Sequence, residues 1–164
     1  MGYDVYLSWD GMTADEIRAQ DVLWDLQRGH MGCLRAAIWM KREARFLQEV
    51  LPGVPWWEGP PGMGIARPFD FKKNFDRMIV AARKYLEDAG AKNDIGHIMT
   101  LPLRSIESKD DGFPQLTAPP VAGRYPTDGL TGFHAEDWIR SIVDFFRLGL
   151  EKQMRGKNPR VEVT

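Results

Sequence analysis

The sequence predicts an α+β fold that is mostly helical, with about four main helices and a small sheet that pairs the N- and C-terminal strands. Apolar residues at helical spacing fill most of the regular segments, whereas alternation with a period of two occurs only near the two termini. A chain of 164 residues is long enough to bury one sizeable core. We therefore expect residues 1–164 to form a single globular domain.

The N-terminal segment predicts a strand followed by a helix. In residues 3–9, apolar and aromatic side chains at the odd positions alternate with Asp, Tyr and Ser, which is the period of a half-buried strand. Asp10 and Gly11 follow as a turn. Thr13 and Glu16 have the spacing of a capping box, so a helix is expected to begin there.

Two longer helices are expected in the middle of the chain. Gly29 and Gly32 precede the first of them, which Pro52 ends, and its apolar face comprises Leu34, Ile38, Phe46, Leu47 and Val50. The next helix is expected to begin after Asp70 as N-cap and to end at Gly90. Its apolar stripe comprises Phe71, Phe75, Met78, Ile79, Ala82 and Leu86.

The C-terminal part predicts a loop region, a last helix and a strand. Residues 91–134 are rich in proline and polar residues, and a short strand or helical turn is expected near 98–106. A helix over about 135–155 would place Trp138, Ile142, Phe145, Phe146 and Leu150 inward. Glu136 and Asp137 would then lie in its first turn, where acidic residues favour the helix dipole. The alternation over 161–163 predicts a final strand.

Composition excludes several classes of protein. A net charge of −1 gives no electrostatic footprint for nucleic acid. No apolar run approaches the ~20 residues that span a bilayer, and the N-terminus lacks the pattern of a signal peptide. A lone Cys33 cannot form an internal disulfide, which suits a reducing compartment. We expect a soluble cytoplasmic protein that binds neither membrane nor nucleic acid.

Residues 52–68 form the most distinctive segment, with five prolines, four glycines and the adjacent Trp56 and Trp57. A phosphate-binding loop is excluded because no Lys-Ser/Thr follows the glycines and no strand precedes them. Two indoles in a loop on a helical scaffold either complete the core as an anchored plug or form the rim of a contact surface, and the sequence leaves their exposure open. We therefore expect a non-catalytic interaction or ligand-binding module that uses the 52–68 and 107–134 loops, without a cofactor, for a protein or small-molecule partner. The expected contact residues are Trp56, Trp57, Met63 and Tyr125.

The alternative is a small metal-binding protein or enzyme. Its candidate ligands are His30, Cys33, His97 and His134, a set that would suit zinc if the loops brought them together. His30 and Cys33 are three residues apart at the expected start of a helix, and a helix N-terminus lowers the pKa of a thiol. The short H-x-x-C pair also fits a buried apolar thiol, so the sequence leaves open whether any catalysis occurs. It does not define the oligomeric state.

Overall fold

The structure is a computed structural model that describes residues 2–23, 32–37, 41–54, 64–103 and 132–164. In these ranges the strands are β1 (Gly2–Ser8), β2 (Cys33–Ala37), β3 (Arg67–Pro68) and β4 (Arg160–Val163). The helices are α1 (Ala14–Leu23), α2 (Lys41–Val50), α3 (Phe71–Asp88), α4 (Ile95–Thr100) and α5 (Gly132–Met154). The α+β class with predominant helix is confirmed.

The strands form one antiparallel sheet in the order β2-β1-β4-β3, so the two terminal strands are neighbours as expected. Val5 lies opposite Leu34 on one side and Val163 on the other, and Leu7 lies opposite Val161. These five side chains are buried, which identifies the face of the sheet that packs on the core. β3 was not predicted, because its two residues lie in a segment whose prolines argue against a strand.

The capping box at the start of α1 is confirmed. The Thr13 amide donates to Glu16 Oε2 at 2.7 Å, and the Glu16 amide donates to Thr13 Oγ1 at 3.2 Å. Farther along, the buried Gln20 donates from Nε2 to the carbonyl oxygens of Leu7 and Gly32 at 2.6 and 3.3 Å. Helix α1 is thus attached to the sheet through its own polar side chain.

The predicted second helix is wrong over its first part. Residues 33–37 form strand β2, which pairs with β1, and α2 begins only at Lys41. Leu34 is buried in either conformation, so a short apolar segment does not distinguish helix from strand. In α2 itself the expected residues Phe46, Leu47 and Val50 are buried. Ile38 lies outside the described residues.

Helix α3 agrees with the prediction at both ends. Asp70 Oδ1 accepts from the Lys73 amide at 2.9 Å, and Gly90 follows the helix with a φ of 64°, as a C′ glycine does. Within the predicted stripe Phe71, Met78, Ala82 and Leu86 are buried, while Phe75 and Ile79 are partly buried against the same core.

Helix α5 is the centre of the core. It begins three residues before the expected start, and every residue from 135 to 146 is buried. Phe146 contacts Phe71 with ring centroids 5.4 Å apart, and Trp138 contacts Tyr85 at 5.2 Å. Because Phe71 begins α3 and Tyr85 lies near its end, α3 and α5 run antiparallel.

Candidate functional site

Most of the residues that the sequence singled out belong to segments without described structure. The following predicted contact and ligand residues lie outside the described residues: His30, Trp56, Trp57, Met63 and Tyr125. Their roles remain predictions.

The other candidate ligands lie on three different elements. Cys33 is the first residue of β2, His97 lies on α4 and His134 lies in the first turn of α5. His97 is exposed, and its amide donates to Asp94 Oδ1 at 2.9 Å as part of a helix cap. Cys33 begins a strand, so it does not lie at the start of a helix as expected. Within the described ranges, no three His, Cys, Asp or Glu residues are grouped closely enough to hold a metal ion.

The structure instead draws attention to a polar stripe on α5. The stripe comprises Glu136, Asp137, Arg140, Ser141 and Asp144, all between 0% and 4% exposed. Charged residues are rarely buried to this degree unless they have partners. The expected position of Glu136 and Asp137 in the first turn is wrong, because α5 begins at Gly132 and places both carboxylates one turn deeper. Their burial therefore needs an explanation other than the helix dipole.

Hydrogen bonds join side chains of α5 to the segment that contains α4. Glu136 Oε1 accepts from the backbone amide of Asn93, just before α4. Arg140 Nη2 donates to the carbonyl of Pro102 at 3.0 Å, just after α4. Arg147, two turns farther along α5 and half-buried, donates from Nη1 to Leu101 O at 2.7 Å.

The same guanidinium of Arg147 also donates from Nη2 to the carbonyl of Met99. Two arginines thus bind three carbonyls at the C-terminal end of α4, which carries the negative end of the helix dipole. Glu136 lies at the opposite, positive end. Helix α4 therefore runs parallel to α5 with complementary charge at each of its ends.

A second polar contact joins α2 and α3 beside α5. The Tyr85 hydroxyl donates to Glu43 Oε1, and Glu43 is fully buried. The Arg42 guanidinium lies 4.8 Å from the centroid of the Tyr85 ring, in cation–π geometry. Because the Tyr85 ring also contacts Trp138 of α5, this polar contact lies next to the aromatic core.

Two exposed carboxylates, Asp10 and Asp70, accept hydrogen bonds from neighbouring polar groups. Asp10 accepts from Asn158 Nδ2 and from Arg160 Nη1, both at 2.8 Å. The Asn158 hydrogen bond, followed by that from Arg160, holds the pKa of Asp10 below its ordinary value of 3.8. Hydrogen bonds from Gln153 and from the Lys73 amide lower the pKa of Asp70 in the same way. These contacts connect the N-terminal turn and the start of α3 with the end of the chain.

The chain matches no protein-family model, no curated protein and no solved structure at a significant level. Among the described residues, no helix is both long and apolar enough to cross a membrane. The fold is therefore the only basis for classifying the described part of the chain. It has an antiparallel sheet, helices packed on that sheet, and a central helix α5 with one apolar and one polar buried face.

Proposed function

We propose that this chain is a small cytoplasmic, non-catalytic interaction or ligand-binding module. Its contact surface is built from the 52–68 and 107–134 loops, with Trp56, Trp57, Met63 and Tyr125 as the contact residues. The partner is a protein or a small molecule and not a nucleic acid. A scaffold of packed helices that carries aromatic loops is a common arrangement for binding.

The observation that carries this proposal is the anchoring of the first loop at both of its described ends. Leu51 and Val54 are buried after α2, and the Leu51 amide donates to Leu47 O at 2.9 Å. On the far side Phe69 and Phe71 are buried, with their ring centroids 4.8 Å apart. The chain therefore enters and leaves this segment next to buried residues, which suits a loop carried on a scaffold.

The second loop also starts from a fixed position. Residues 101–102, which precede it, are bound through their carbonyls by Arg147 and Arg140 of α5. The loop leads back into α5, whose residues 135–146 are buried. Both loops are thus attached to elements that pack on α5.

A thermal-shift screen tests the proposal. Wild-type protein and the double variant Trp56→Ala/Trp57→Ala are screened against amino acids, nucleotides, sugars and short peptides. We expect at least one ligand class to raise the Tm of the wild type but not of the double variant. Val80→Ala is the matched control, because Val80 is an exposed apolar residue on α3 that lies outside both loops.

The control variant should respond to the ligand as the wild type does. A ligand that raises the Tm of the double variant as much as that of the wild type would exclude the tryptophans from the contact surface. An unliganded double variant that is unfolded would show that the two rings belong to the core.

A further inference from the structure

We propose that residues 91–103, centred on α4 and here named the strap, open and close against α5 as a unit separate from the rest of the core. In this proposal Arg147 is the residue that chiefly sets the closing equilibrium. None of the strap residues belongs to the 52–68 or 107–134 loops, so the two proposals are tested separately.

The strap has limited apolar contact with the core. Ile95 and Ile98 are buried, and Ala91 and Met99 are partly buried against the core, whereas Gly96, His97 and Thr100 are exposed. A helix of six residues is far shorter than the ~12–15 residues that even a favourable sequence needs to be marginally helical alone. Helix α4 therefore depends on its contacts with the neighbouring helices.

Polar contacts to α5 supply much of that support. Glu136 binds the Asn93 amide at one end of α4, and Arg147 binds the carbonyls of Met99 and Leu101 at the other. Hydrogen bonds from charged groups are roughly twice as strong as neutral ones. Arg147 provides two of them from one planar guanidinium, so among the described polar contacts it has the largest share in closing the strap.

The surface beneath the strap favours opening. Glu136 and Arg140 are buried there, and removal of charged groups from water is costly. Glu136 Oε2 has no hydrogen-bond partner in the described part of the chain. This carboxylate oxygen therefore loses its hydration on burial without a described hydrogen bond to replace it. Opening would break the hydrogen bonds of Glu136 with the Asn93 amide and of Arg140 with the Pro102 carbonyl, and it would not require the aromatic contacts between α3 and α5 to break. Local opening is then cheaper than global unfolding.

Opening of the strap would also affect the second loop of the proposed contact surface. Leu103 ends the strap a few residues before residue 107, so the strap fixes the position from which that loop starts. A change at Arg147 would consequently alter the point from which that loop starts.

Native-state hydrogen exchange at several low urea concentrations tests the proposal on the wild type. The probes are the amides of Ile98 and Leu101, which donate to Asp94 O and Ile98 O. We expect both amides to exchange through an opening that depends weakly on urea and is more frequent than the opening that exposes the α3 amides of Ala82 and Leu86. If all four exchange with the same free energy and the same urea dependence, the strap is not a separate unit and the proposal fails.

The variant Arg147→Met removes both hydrogen bonds but keeps an apolar stem. It should lower the protection of the Ile98 and Leu101 amides by about 10- to 100-fold, the loss expected for hydrogen bonds from a charged group. Arg147→Lys, which keeps the charge but not the planar fork, should give a smaller decrease. Arg155→Met is the control, because Arg155 is exposed and pairs with Glu151, away from the strap. Unchanged protection in Arg147→Met would overturn the role of Arg147.

Discussion

The two buried faces of α5 differ in how they are accommodated. On one face Phe145 and Phe146 pack among the rings of α3 and the residues before it, with centroids 5.4–6.5 Å apart. On the other face Glu136 and Arg140 are equally buried but bind backbone groups on either side of α4. Burial of the apolar face stabilises the folded state. The polar face loses its hydration on burial, and its hydrogen bonds must offset that loss. We infer that the first face determines global stability and the second positions a neighbouring segment.

The largest effect is expected on the apolar face. Phe146→Ala removes a fully buried ring that contacts Phe69, Phe71, Phe75 and Phe145, and it should lower the free energy of unfolding by about 3–5 kcal/mol. Equilibrium urea unfolding measures the change. Phe75→Ala is the control. The Phe75 ring is only partly buried, so its removal should lower the free energy of unfolding by less. Equal losses for the two variants would contradict the central place of Phe146.

A larger side chain on this face of α5 is also expected to destabilise the fold. A Cβ on Gly149 would lie closer than 3.0 Å to the ring of the fully buried Phe71. Gly149→Ala should therefore lower the free energy of unfolding by about 1–3 kcal/mol, although alanine normally favours a helix. Gly96→Ala makes the same change in α4, where the new methyl group would meet Asp94 alone among the described residues, 3.3 Å from its Oδ1, and should not be destabilising by more than a few tenths of a kcal/mol. Thermal unfolding of both variants checks the difference.

A pair of substitutions at Glu136 separates charge from hydrogen bonding on the polar face. Glu136→Ala removes the acceptor of the Asn93 amide and should cost about 1–3 kcal/mol in the free energy of unfolding. Glu136→Gln keeps an acceptor and removes the buried charge, so its stability should stay within about 1 kcal/mol of the wild type. Urea unfolding of both variants measures these changes. If Gln were as destabilising as Ala, the charge itself would be essential.

The smallest effect concerns the exposed carboxylate of Asp10. Its pKa is lower in the folded state than in the unfolded chain, so its contribution to stability is present above pH 3.8 and is lost as the pH falls through the folded pKa. Asp10→Asn should therefore lower the urea midpoint slightly at neutral pH, and the difference from wild type should shrink toward acid pH. A difference that does not vary between pH 7 and pH 2 would exclude the contribution of this carboxylate.

Much of the fold could be predicted because local signals agreed with tertiary packing. Both ends of α3 follow from Asp70 and Gly90, and the paired terminal strands follow from simple alternation. Strand β2 was missed because residues 33–37 are few and their pairing partner, β1, lies some thirty residues earlier. Neither the local propensity nor the spacing of its apolar residues could reveal that partner.

The polar stripe could not be predicted for a related reason. Glu136 and Arg140 have the spacing of an ordinary ion pair on an exposed helix face. In the structure both are buried and bind backbone groups on either side of α4, and the Asn93 amide that Glu136 binds is 43 residues away in sequence. The sequence does show Arg140 and Arg147 on a largely apolar helix. It does not identify the backbone carbonyls that they bind.

The most direct test of the proposed function is the free energy of unfolding of Trp56→Ala/Trp57→Ala, measured beside Phe146→Ala. If the tryptophans form a contact surface on an anchored loop, the double variant should stay within about 1 kcal/mol of the wild type, as surface substitutions do. A loss as large as that of Phe146→Ala, about 3–5 kcal/mol, would place the rings in the core and contradict the proposal.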